Sequence, residues 1–136
     1  LVDGAVLIPR NGRGRSGTSL AFRLGTTATH SNFSLGITDE KRSDSPLLFL
    51  EADSMVLEAG TTYPFSLSPH KGGVKGWYYS PAGPYSSQAP ASGTLTLTRV
   101  DRQARILAGR FEFVATNRAT GRQVRITQGR FDYQME

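Results

Sequence analysis

The stretches SGTLTLTRVD (residues 92–101), RILAGRFEFVATN (residues 105–117) and RQVRITQGRF (residues 122–131) read as three consecutive antiparallel strands, and they decide the fold class. In the middle stretch Phe111, Phe113 and Ala115 share one parity while Arg110, Glu112 and Val114 share the other. That is the period of two expected of a strand with one face in a core, so Phe111 and Phe113 are predicted core residues. In the last stretch Val124 and Ile126 point inward, yet Phe131 and Tyr133 have the opposite parity, so one residue must be absorbed between them. Gly129 is the expected β-bulge, because glycine tolerates the backbone angles a bulge imposes. Residues 117–121, NRATG, form the connecting loop, with Asn117 and Gly121 the residues best able to enter the left-handed region.

The run SGTLTLTRVD, then ILAGRFEFVATN, then TG and VRITQGRFD resembles the C-terminal signature of a Bacteroidota family of unknown function, made of small secreted or lipid-anchored β proteins. VDG (residues 2–4) and GTTYPF (residues 60–65) are similar to the family's opening and to its mid-chain strand. The matched positions are glycines, hydroxyl residues and core aromatics, which are scaffold types and carry no catalytic motif. The resemblance implies an export signal upstream and a location that is periplasmic, outer-membrane-anchored or extracellular. Asp53-Ser54-Met55 is similar to the tripeptide at which exported proteins of that lineage are O-glycosylated, which would place a glycan on Ser54.

At 136 residues the chain has the length of one domain, 1–136, able to bury its own core. Turn residues separate short apolar alternations throughout, which predicts about nine strands in an antiparallel β-sandwich, with a closed β-barrel as the alternative. VDGAVLI (residues 2–8) is the first expected strand, followed by a glycine- and arginine-rich connector over residues 9–17. Leu20, Phe22 and Leu24, then Phe33, Leu35 and Ile37, alternate as a hairpin. PLLFLEA (residues 46–52) and TTYPF (residues 61–65) supply further strands, and DEKRSDS (residues 39–45) reads as a solvated loop.

There is no cysteine, which removes disulfides, thiolate zinc sites and thiol nucleophiles. No apolar run is long enough for a transmembrane helix. The net charge of +5 comes mainly from arginine, and eight of the thirteen arginines lie between Arg99 and Arg130. Arg110, Arg122 and Arg125 define an expected basic outer face suited to an anionic polymer, and no specific nucleic-acid motif accompanies them.

Aromatic residues gather in HKGGVKGWYYSPAGPY (residues 70–85). Trp77, Tyr78, Tyr79 and Tyr85, with Lys75 beside them, suit a glycan: ring faces stack on sugar faces while hydroxyls and the ammonium bond the sugar's rim. Because Trp77 and Tyr79 share one parity and Tyr78 the other, at least one set must enter the core. His30 and His70 stand apart with no metal-ligand spacing, no Gly-x-Ser-x-Gly is present, and no cofactor motif occurs. Glu51, Asp53 and Glu58 would serve glycoside hydrolysis only if two of them faced one cleft. The expectation is a non-enzymatic, exported binding or assembly module of the cell envelope, taking a glycan or an envelope protein as partner. A structural subunit of a surface assembly or filament is the alternative, and a glycan hydrolase the third reading.

Overall fold

The computed structural model describes residues 1–7, 20–26, 31–65, 73–87 and 92–134. Among the described residues there are nine strands: β1 (Leu20–Thr26), β2 (Ser31–Thr38), β3 (Leu47–Met55), β4 (Thr62–Pro64), β5 (Val74–Ser80), β6 (Gly83–Ser86), β7 (Gly93–Asp101), β8 (Ile106–Thr116) and β9 (Gln123–Gln134). The strands pair antiparallel. The path runs β1-β2-β3-β5-β6-β8-β7-β4, with β9 paired to β8. Between β6 and β8 a single pair, Ser86 with Thr116, turns the corner from one half to the other. The halves fold over each other as the two layers of an open sandwich, so the closed-barrel alternative is not the fold.

Alternating side chains from the two layers meet in one core. Phe33 of β2 lies 6.3 Å, centroid to centroid, from Phe131 of β9. Phe113 of β8 stacks on Phe65 at 4.5 Å, and its ring covers Gly76 of β5 so closely that an added Cβ would meet Cζ at 2.5 Å. Gly76 is therefore glycine for want of space rather than for backbone freedom. Leu50, Leu95 and Leu97 are fully buried, and truncating such a side chain typically costs ~2–5 kcal/mol.

The last three strands form as their alternation predicts, with Phe111, Phe113, Ala115 and Ile126 all buried. The bulge lies one residue before its expected place. Phe111 faces Gly129 and Phe113 faces Ile126, so Thr127 and Gln128 together oppose Glu112. Gln128, not Gly129, takes the left-handed conformation, with φ of 53°. Gly129 instead makes room for the Phe111 ring, which a Cβ there would overlap. The following loop also departs from expectation at Asn117, which does not enter the left-handed region, whereas Gly121 does at φ of 73°. Asn117 is buried, and its Oδ1 accepts from the backbone N–H of Ala119 at 2.9 Å and of Thr120 at 3.3 Å. An Asx turn thus does the work that a positive φ would have done.

Two other expectations are corrected. Residues 2–7 form no strand: Val2 and Ala5 exchange backbone bonds of 2.8 and 2.9 Å around Asp3 and Gly4, both at positive φ, while Ile8 lies outside the described residues. This is the two-residue hairpin turn that an Asp-Gly pair favours, and its bonds to β9 replace the strand's own. Asp39 is not solvated but fully buried, closing the 39–46 loop through its N–H to the Pro46 carbonyl at 3.3 Å. Its Oδ1 accepts from the Lys41 N–H at 3.3 Å. The loop's outer rim is held by a bidentate pair in which Arg42 donates to Asp44 at 3.0 and 2.8 Å. The 9–17 connector lies outside the described residues.

Candidate functional site

Because β5 alternates across a half-buried layer, its aromatic residues are divided between two faces. Tyr78 turns inward and is 5% exposed, as is Tyr85 of β6 directly opposite it; their rings lie 6.1 Å apart. Burial pushes the Tyr78 hydroxyl above its ordinary pKa of 10.0, with the Arg42 charge opposing the shift. These two tyrosines belong to the core and are removed from the expected ligand face. The cause is register: Tyr78 pairs with Leu48, a buried residue of β3, and a residue shares its face with the residue opposite.

Lys75, Trp77 and Tyr79 occupy the outer face of the same strand. Across β3 their partners are Glu51, Phe49 and Leu47, and across β6 Trp77 and Tyr79 face Ser86 and Pro84. Four apolar side chains from two strands, Leu47, Phe49, Trp77 and Tyr79, therefore form one row on the outside of the sandwich. Tyr79 is 40% exposed, and Leu47, Phe49 and Trp77 are half-buried by their neighbours. Phe49 and Trp77 pack at 5.3 Å with planes inclined by 46°, which fixes the indole's orientation. The Lys75 Nζ sits 4.6 Å from the centre of the Trp77 ring. A cation–π contact at an open site is worth only ~0.5–1 kcal/mol, so a ligand stacking on the indole displaces the ammonium at small cost. The displaced ammonium and the Glu51 carboxylate, paired across the strands at the end of the row, then supply a donor and an acceptor. Phe49 and Leu47 are contributors that the sequence did not single out. Their apolar run in β3 has no alternation, and a strand apolar on both faces carries no local sign of which face is open.

Elsewhere the expected residues do not converge on this row. Glu51 lies within it, but Asp53 is exposed toward the end of β3 and Glu58 is exposed beyond it. Among the described residues no group of three His, Asp or Glu gathers as a metal site. His30, His70 and the Ser54 side chain lie outside the described residues. Arg110 and Arg125 project from the outer face of the other layer, on β8 and β9, while Arg122 stands in the turn before β9. Arg130, which the sequence reading did not single out, sits directly opposite Arg110. No helix long and apolar enough to cross a membrane occurs among the described residues.

No protein-family model, curated protein or solved structure matches this chain.

Proposed function

We propose that the protein is a non-enzymatic, exported binding module of the cell envelope whose ligand is a glycan held on the outer face of β3 and β5. The observation that carries this reading is the set Leu47, Phe49, Trp77 and Tyr79 on the outer face of one layer, with Tyr79 exposed and the other three half-buried, while the outer face of the other layer carries arginine, threonine and glutamate. A run of apolar and aromatic side chains held on paired strands suits the apolar face of a pyranose. Sugar hydroxyls at its edge meet the Lys75 and Glu51 groups, and the rings supply stacking without loss of side-chain entropy because Phe49 and Trp77 already hold each other. Export to the envelope rests on the resemblance of residues 92–131 to a secreted family.

The test is a glycan array followed by titration of the best neutral oligosaccharide against the protein and its Trp77→Ala and Tyr79→Phe variants. Trp77→Ala is expected to weaken binding about tenfold or more, the loss of one stacked ring being worth ~1.4 kcal/mol. Tyr79→Phe keeps the ring and is expected to weaken binding less. Binding unchanged in Trp77→Ala would remove the reading. Self-association of the wild type that Trp77→Ala abolishes would favour a structural subunit of an assembly instead.

A further inference from the structure

The opposite side of the molecule holds a second feature, unrelated to the aromatic row. On the outer face of β7, β8 and β9 a hollow of about 530 Å³ is lined by Thr94, Thr96, Arg110, Glu112, Gln128 and Arg130. Arg110 and Arg130 are cross-strand partners, and both are exposed. Two like charges directly opposite on a sheet repel, and among the described residues neither guanidinium is held in an ion pair. The β9 bulge lies at the wall of the hollow. By inserting one extra residue it interrupts the ladder beside Glu112 and places Gln128 at the wall of the same hollow as Arg110 and Arg130. Gln128 accomplishes this at φ of 53°, a conformation costly for any residue with a Cβ and one in which glycine would be preferred. Non-glycine residues held in such a conformation cluster at ligand-binding sites, and this one stands at the wall of a charged hollow.

We propose that this hollow binds a sulfate- or phosphate-type oxyanion between Arg110 and Arg130, with the Gln128 amide and the Thr96 hydroxyl as further donors. Guanidinium groups present planar forks of N–H donors that match such oxygens, and a bound oxyanion turns the Arg110–Arg130 repulsion into attraction. Thr96 Oγ1 lies 2.9 Å from Thr62 Oγ1, so Thr96 can accept the Thr62 proton and keep its own to donate into the hollow. Glu112 at the wall disfavours a bare anion but accepts from a hydroxyl next to it, so an ester carried on a sugar fits better than the free ion. The site is independent of the aromatic row, and failure of either leaves the other standing.

Sodium sulfate, sodium phosphate and sodium chloride at matched ionic strength are compared by thermal shift and by amide chemical shifts of residues 110–112 and 128–130. A monosaccharide sulfate is set against the same sugar without sulfate. Sulfate or phosphate is expected to raise Tm above chloride and to move those amides saturably, with the sulfated sugar binding more tightly than inorganic sulfate. Arg130→Gln is expected to weaken sulfate binding about tenfold or more, while Glu112→Gln strengthens it. The ligand-free Tm of Arg130→Gln should equal or exceed that of the wild type, because a repulsion has been removed; a merely structural arginine would lower it. Equal responses to sulfate and chloride, or Arg130→Gln binding as tightly as wild type, overturn the proposal.

Discussion

Gly93 and Gln128 show how differently two positions in strands paired to β8 are constrained. A Cβ at Gly93 would collide with the Glu112 carbonyl and with the Phe113 backbone, neither of which can swing aside. Gly93→Ala is therefore expected to cost ~1–3 kcal/mol, read from the urea midpoint, whereas Gly25→Ala, where nothing lies within 4 Å, should stay within about 0.5 kcal/mol. Gln128→Gly should move stability the other way, by about +1 kcal/mol, since glycine enters the left-handed region freely. A destabilised Gln128→Gly would show that the side chain holds the bulge together. Tyr78 gives a pH signature. Its hydroxyl pKa is raised by burial, so the folded state holds that proton more tightly than the unfolded chain, and stability must fall as pH climbs above 10.0. The Tyr78→Phe variant should lose less stability than wild type between pH 9 and pH 11, and parallel curves for the two would show that Tyr78 titrates as an ordinary phenol. Its inward position was legible only as one of two parities, because a chain of Trp-Tyr-Tyr does not reveal which face its neighbours will cover.

Among the elements, β9 depends most on a distant partner. Among the described strands it pairs with β8 alone, yet residues 1–5 lie against its first half. Asp3 donates its N–H to the Arg125 carbonyl at 2.8 Å and accepts the Arg125 N–H on Oδ1 at 2.7 Å, while the Thr127 N–H reaches the Leu1 carbonyl at 2.9 Å. An edge so covered cannot recruit another chain. The Arg125 and Thr127 amides should exchange slowly in deuterated buffer. Deleting residues 1–5 is expected to release both and to promote self-association in concentrated solution, seen as a rise in scattered mass; a deletion that leaves both amides protected would show that the turn is not their shield. The strand expected over residues 2–8 begins instead as a turn in the structure. The Asp-Gly pair was the signal for a turn, but only the bonds to residues 125 and 127, more than 120 positions away, show which strand the turn serves.

Across the molecule the two layers share one core, with Phe33 against Phe131 and Phe113 over Gly76, so neither layer can lose its packing alone. Thermal unfolding followed by far-UV circular dichroism should coincide with unfolding followed by the fluorescence of Trp77, the single tryptophan. A fluorescence transition at lower temperature would mean that the β3–β5 face loosens separately. The all-β class, the rough strand count, the three closing strands with their inward phenylalanines and the need for one bulge were all written in local alternation, because a period of two is a property of neighbouring residues. Which strands lie side by side, that the sheet stays open, that Tyr78 and Tyr85 are core while Phe49 and Leu47 join Trp77 outside, and that Arg130 faces Arg110 were settled by pairing between distant segments. Local alternation sorts side chains into two sets, but only long-range register decides which set meets the other layer and which meets solvent, and both surfaces proposed for binding are made of the set left outside.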